Sequence, residues 1–284
     1  FLFGAAITLA GAIYALMLLP AALLRFVLWL MTVTLYRIKV LGRDNIPEKG
    51  GALFVCNHLS LIDAFLVQAS TDRPIRFLMD RDWYNKPWLH PFAKLLDVLP
   101  VSTTSSPREL LHSLREARES VERGDVVCIF AEGQITRTGN LLPFRRGLEK
   151  IMHGPEGSVR APIIPVHLDN LWGSIFSYER GKFLWKLPHS IPYPVIVSYG
   201  QPLPADSSAA TVREAVQALH PEAFEHHRAW LRPLHRSFLR TARRIPFRFA
   251  MADARVPGIN WFSALTKTIF LGRRLRGVWR SEEH

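Results

Sequence analysis

The sequence predicts an α/β fold, with a mixed, largely parallel sheet flanked by helices and an N-terminal membrane helix region. Three observations carry that reading. Short apolar runs of strand character recur at Ala52-Leu53-Phe54-Val55-Cys56, Val126-Val127-Cys128-Ile129-Phe130, Pro162-Ile163-Ile164-Pro165-Val166 and Val195-Ile196-Val197-Ser198-Tyr199. Helix-compatible segments alternate with them, which suits buried parallel strands joined by crossovers. Ahead of both, Phe1 to Leu24 contains no charged residue.

That first run is long enough to cross a bilayer, since about 20 apolar residues suffice. Phe26 to Tyr36 is again apolar apart from two threonines. Arg25, Arg37, Lys39 and Arg43 follow, and positive charge flanking a span predicts that the remainder lies on the cytoplasmic side. A cleaved signal peptide fits poorly, because the apolar core is too long and has no basic leader. The expected division is 1–35 as membrane-associated apolar helices, 36–205 as the main domain and 206–284 as a basic helical extension. The start at Phe1 suggests a piece of a longer polypeptide.

Within the main domain, Tyr36-Arg37-Ile38-Lys39-Val40 alternates as a first strand closed by Gly42. Ile75 to Met79 and Asp97 to Val101 read as further strands, separated by an aromatic and charged loop over 80–91. Ser106-Pro107-Arg108-Glu109 is a helix start with a cap residue, Pro in the first turn and an acid three positions on. Leu110, Leu111, Leu114, Ala117 and Val121 supply its apolar face, and Gly124 ends it. From Ser207 to Arg244 the chain is helix-compatible, interrupted by Pro221 and Pro233. Arg228, Arg232, Arg236, Arg240 and Arg244 recur every four residues there, as a solvated face or a surface for anionic lipid.

Composition narrows the function. With 48% hydrophobic residues, global disorder is excluded. A net charge of +12 points to an anionic partner. The basic residues accompany apolar segments and no recognition module is present, so the expected partner is a phospholipid surface and not nucleic acid. Cys56 and Cys128 lie in separate apolar runs, which gives neither a disulfide framework nor metal-ligand spacing.

The chemistry concentrates where two strands end. After Ala52–Cys56 the chain reads Asn57-His58-Leu59-Ser60-Leu61-Ile62-Asp63, which sets an imidazole and a carboxylate at a sheet rim. Ser60 to Asp63 also has the form of a capping box, so Asp63 is either a helix cap, a catalytic partner of His58, or both. After Val126–Phe130 comes Ala131-Glu132-Gly133-Gln134-Ile135-Thr136-Arg137, then Arg145-Arg146-Gly147. Backbone amides with a guanidinium there suit a phosphate or a developing oxyanion. A hydrolase using Ser60 or Cys56 lacks the Gly-x-Ser-x-Gly elbow, and His58, Asp63 and Glu132 match no zinc spacing.

Together these blocks resemble the glycerolipid acyltransferase family of lysophosphatidic acid acyltransferase type. Asn57-His58…Asp63, Arg81-Asp82-Trp83…Pro87, Phe130-Ala131-Glu132-Gly133 and Ile164-Pro165-Val166 occur in the family's order, over roughly Tyr36 to Pro204. Ala131 replaces the family's Pro, Gln134-Ile135 replaces Thr-Arg, and Arg137 is displaced by two positions. Glu-Gly-x-Ile-Thr-x-Thr-Gly is closer to the acyltransferase half of bifunctional 2-acylglycerophosphoethanolamine acyltransferase/acyl-acyl carrier protein synthetases. The tail Ala264 to Arg273 looks like the lead-in to the synthetase half, and the leading apolar helix resembles the last helix of a fused lysophospholipid transporter.

The resemblance implies a membrane-bound enzyme of the bacterial inner membrane, with its catalytic domain on the cytoplasmic side. It would move an acyl group from an acyl carrier protein or CoA thioester to a lysophospholipid hydroxyl, with no cofactor or metal. His58 is the implied base and Asp63 its orienting acid. Asn57, Arg81, Glu132, Gly133, Gln134, Arg137 and Arg145 are the implied substrate contacts. The uncharged Gln134-Ile135 pair favours 2-acylglycerophosphoethanolamine as acceptor. The alternatives are 1-acylglycerol-3-phosphate and, outside catalysis, a lipid-binding or tethering module.

Overall fold

The computed structural model describes residues 30, 34–87, 89–102, 107–154, 157–181, 191–228, 233–253 and 256–282. The apolar helices expected over 1–35 lie outside these residues, apart from 30, 34 and 35. Among the described residues no helix is long and apolar enough to cross a membrane.

A seven-stranded sheet orders as β1-β9-β8-β2-β5-β3-β4. Its strands are β1 (Tyr36–Leu41), β2 (Ala52–Cys56), β3 (Ile75–Asp80), β4 (Leu99–Val101), β5 (Val126–Phe130), β8 (Ile163–Asp169) and β9 (Tyr193–Tyr199). Every neighbouring pair is parallel except β8 with β9, so the mixed, largely parallel sheet forms as expected.

Strand alternation sorts the central side chains onto two faces. Phe54, Cys56, Val126, Cys128, Ile164 and Val166 pack under α1 (Asp63–Ala69), whose Leu66 and Val67 are fully buried. Leu53, Val55, Val127, Ile129 and Ile163 pack on the other face. There they meet α4 (Pro107–Glu122), α5 (Gly147–Met152) and α6 (Ala209–Ala218). Each side chain so buried contributes about 1.5–3 kcal/mol. Runs apolar on both faces therefore belong to central strands, which is why β2, β5 and β8 stand out in the sequence.

The loop expected over 80–91 contains α2 (Arg81–Tyr84) and the start of α3 (His90–Leu95). Asp80 caps α2 by accepting from the Asp82 N–H. Helices this short span too few periods to show an apolar face. The strand expected from Asp97 starts only at Leu99, because Asp97 takes a left-handed φ of 50° on leaving α3. Between α5 and β8 a small antiparallel pair forms, β6 (His153–Gly154) with β7 (Gly157–Ser158).

The chain divides into two compact units, the first ending at His227 and the second starting at Arg228. The first unit thus runs beyond the boundary expected at 205. It takes in α6, through buried Ala209, Val212 and Val216, and α7 (His220–Arg228) up to His227. Pro221 stands in the first turn of α7, where its missing N–H costs no hydrogen bond. In the second unit, α8 (Leu234–Arg244) and α9 (Trp261–Glu282) are joined by an antiparallel hairpin, β10 (Phe249–Asp253) with β11 (Val256–Asn260). That hairpin lies within 206–284, the segment expected as a basic helical extension. Arg236, Arg240, Arg243 and Arg244 line an open groove of α8.

β8 carries two polar residues into the packed interior. His167 and Asp169 are 8% and 7% exposed and share the strand face of Ile163. Burial, aided by the neighbouring His220, pushes the His167 imidazole down to about 4. The folded state therefore favours the neutral ring, and stability present above pH 6.5 is lost as pH falls through that window toward 4. We expect the protein to lose up to about 3 kcal/mol over that range. Urea unfolding at stepped pH should show the loss, and His167→Phe should flatten it.

Candidate active site

β2 leaves the sheet at Asn57, and the departure is fastened by that side chain. Asn57 Oδ1 accepts from the Leu168 N–H at 2.7 Å, and Nδ2 donates to the Leu168 carbonyl at 3.0 Å. The amide thus replaces one peptide rung of the β2–β8 ladder while the main chain turns away. Asn57, expected to contact substrate, instead has both ends of its amide occupied by β8 and is 3% exposed.

The next residue is His58. Its Nδ1 lies 2.8 Å from Asp63 Oδ2, at the first position of α1. The same oxygen accepts from the N–H groups of Leu59 (2.6 Å) and Ser60 (3.0 Å), while Oδ1 accepts from the Ser60 hydroxyl. A carboxylate surrounded by donors is an acceptor, so the imidazole proton resides on Nδ1 and Nε2 is left basic. Asp63 is fully buried, whereas the His58 side chain keeps 20% of its surface. The imidazole stacks on Phe130 with ring centroids 4.2 Å apart and planes 18° from parallel. Bond, stack and buried acid together fix the ring.

Half of the predicted capping box forms. Asp63 reaches back to the Ser60 N–H, but the Ser60 hydroxyl turns to the carboxylate and caps no amide. Capping and orientation of His58 are therefore done by the same carboxylate. Ser60 Oγ faces Asp63 and not the imidazole, which removes it as a nucleophile. Burial pushes the Cys56 and Cys128 thiols well above the usual range, so neither is a thiolate.

Glu132 joins the two loops. Its Oε1 accepts from the His58 N–H and its Oε2 from the Leu142 N–H, both at 2.9 Å. Thr136 adds a bond from its N–H to the His58 carbonyl at 3.0 Å. Burial raises the Glu132 carboxyl, against the lowering effect of those two amides. At 3% exposure, with each oxygen accepting from an amide, Glu132, expected as a substrate contact, braces the two loops. The Gly133 amide, expected to cradle an anion, closes a turn onto the Phe130 carbonyl.

Gly133 matters for what it leaves out. Its φ is +70°, and a Cβ there would stand 2.6 Å from Arg145 Nε and 2.9 Å from Cζ. The guanidinium of Arg145 therefore lies directly against Gly133. Arg137 is exposed and sits over the Tyr178 ring, 5.7 Å from its centroid. Residues 171–178 also reach the His58 loop, with Ser177 bridging Ser60 and the Phe176 carbonyl accepting from the Leu61 N–H. Gln134 is exposed on the same loop as Gly133. Arg81 is not drawn into this set; it pairs with Glu109 of α4 at 2.9 Å.

Sequence reading missed Phe130 as the floor of the imidazole, Thr136 as a brace, and the 171–178 wall. Only Phe130 left a signal, as the residue ending a buried strand beside the Glu-Gly turn.

Residues 37–169 match the protein-family model described as Acyltransferase. Among similar proteins is the 1-acyl-sn-glycerol-3-phosphate acyltransferase of Cocos nucifera, 27% identical over 182 residues, or 62% of this chain and 53% of that protein. The protein of the same name from Bacillus subtilis (strain 168) is 23% identical over 146 residues, covering 51% of this chain and 69% of its own. This chain thus spans about half the length of the coconut protein. The crystal structure of the 1-acyl-sn-glycerophosphate (LPA) acyltransferase PlsC from Thermotoga maritima superposes with a TM-score of 0.51 at 20% identity, covering 70% of this chain and 75% of that one. That likeness is one of fold.

Proposed function

We propose that this chain, whose residues 37–169 match the Acyltransferase model, transfers a fatty acyl group from a thioester to the free hydroxyl of 1-acyl-sn-glycerol-3-phosphate. The observation that carries the reading is the 2.8 Å contact between His58 Nδ1 and buried Asp63, which leaves Nε2 as the one basic nitrogen of the ring.

Nε2 takes the proton from the acceptor hydroxyl as that oxygen attacks the thioester carbonyl. Asp63 stabilises the imidazolium that forms. As the tetrahedral adduct collapses, the C–S bond breaks and the imidazolium returns its proton to the leaving thiolate. No side-chain nucleophile or metal takes part in this sequence, which ends with an ester and a free thiol.

The acceptor is argued from charge. The Gln134-Ile135 pair removed a guanidinium from the Glu-Gly turn and pointed to 2-acylglycerophosphoethanolamine. Folding returns one, because Arg145 lies against Gly133, with exposed Arg137 three residues beyond Gln134. A phosphate monoester suits that pair of cations better than a zwitterion, and the related proteins named above are 1-acylglycerol-3-phosphate enzymes.

We place the reaction at the cytoplasmic face of a membrane. In support, Phe1 to Leu24 is uncharged. In the second unit, Phe247, Phe249, Phe262 and Phe270 are exposed, as is the arginine groove of α8.

A donor-by-acceptor panel tests the proposal, pairing acyl-CoA or acyl-acyl carrier protein with lysophosphatidic acid or 2-acylglycerophosphoethanolamine. Phosphatidic acid is the expected main product. Transfer to the ethanolamine acceptor alone overturns the assignment of the acceptor; no transfer from either donor leaves a tethering module.

A further inference from the structure

A second cluster of side chains lies at the end of β8, on the sheet face opposite α1. His167 and Asp169 arrive there from alternate positions of one strand. His220 and His227 arrive from α7, seven residues apart and so on one face of the helix. His220 Nδ1 is 3.8 Å from Asp169 Oδ1, and His227 Nδ1 is 3.1 Å from Asp169 Oδ2. The rings of His167 and His220 meet edge to face at 5.5 Å. One donor atom from each of His167, Asp169 and His220 lies within 4.8 Å of the others. All four residues belong to the first compact unit.

The cluster is incomplete as a set of hydrogen bonds. Both ring nitrogens of His167 are buried without a hydrogen-bond partner, although the residue is only 8% exposed. Buried polar atoms are nearly always paired, and leaving one orphaned is costly. Ion pairing of Asp169 with His220 and His227 does nothing for His167. A cation at the centre gives one of the two His167 nitrogens a partner and neutralises the carboxylate in one step.

We propose that His167, Asp169 and His220 bind a zinc-type divalent cation, with His227, which pairs with Asp169 Oδ2 outside that cluster of three, turning in as the fourth ligand. Tetrahedral zinc with bonds of about 2.0–2.1 Å holds its ligand atoms a little over 3 Å apart. The 3.1 and 3.8 Å pairs already approach that spacing. Three imidazoles and one carboxylate select zinc over magnesium or calcium, which take oxygen-rich shells. Four protein ligands make a closed, structural site, which fastens α7 to the sheet end. The site is independent of the acyl-transfer reading. Local sequence spacing does not reveal it, because its halves lie about fifty residues apart.

The test is Zn²⁺ titration of the chelator-treated full chain by calorimetry, with thermal unfolding followed in parallel. One equivalent should bind and raise the unfolding midpoint, and Co²⁺ in its place should give the visible absorption of a tetrahedral site. His220→Ala, at a half-exposed position that the fold tolerates, should weaken Zn²⁺ binding by more than about tenfold and remove the shift. The proposal is overturned if Zn²⁺ produces neither heat nor a shift in the wild type. It is equally overturned if His220→Ala binds Zn²⁺ as the wild type does.

Discussion

Replacing His58 with alanine should lower acyl transfer by about 10²–10⁴-fold, which is roughly 3–5 kcal/mol of barrier. The size follows from the role: the variant loses a positioned base, and water is a poor substitute. The protein should stay folded, because the main-chain bonds of His58 to Glu132 and Thr136 do not use its side chain. Asp63 loses one donor and keeps the amides of Leu59 and Ser60 and the Ser60 hydroxyl. Initial rates with a thioester donor and lysophosphatidic acid, beside a thermal melt, separate the two effects. A folded variant with activity close to wild type would remove the imidazole from the mechanism.

Asp63→Asn should have the second largest effect. An amide keeps the size of the carboxylate but offers one acceptor and one donor where four donors converge. If its nitrogen faces the imidazole, the ring proton shifts to Nε2 and the base is lost. If its oxygen does, the tautomer survives but the imidazolium has no counter-charge. Either arrangement should cost about 10²–10⁴-fold in kcat. Stability should fall by about 1–3 kcal/mol, the range for an unsatisfied buried group. Urea unfolding and kcat decide what Asp63 does. Loss of stability with full turnover would make it a helix cap alone; loss of both is expected, since one carboxylate serves His58 and the start of α1.

Much of this was legible because it is local. The strands β2, β5 and β8 are continuous apolar runs, and His58 and Asp63 stand five residues apart around one turn. What was not legible depends on residues that meet only in the fold. Glu132 looked like a substrate contact because it ends a strand, yet its oxygens bind amides 74 and 10 residues away, and such bonds leave no periodic trace. The bonds of Asn57 are equally hidden, its partner Leu168 being 111 residues distant. Arg145 was rightly singled out as a basic residue, but only packing puts its guanidinium against Gly133. The compact unit runs past 205 because α6 packs with it, while in the sequence α6 reads as helix like the segment after it. Burial of Val212 and Val216 against the first unit is a tertiary fact.

The double anchorage of the His58 loop has a dynamic consequence. Asn57 ties its start to β8, and Glu132 ties the adjacent His58 amide to the amide of Leu142 in the neighbouring loop, all within the first unit. Segments so held do not open on their own; they open with the strands that hold them. The His58 loop and the central sheet are therefore expected to open as one unit. Stabilising the sheet would lengthen the working life of the site by the same factor, and turnover would report on the integrity of the fold.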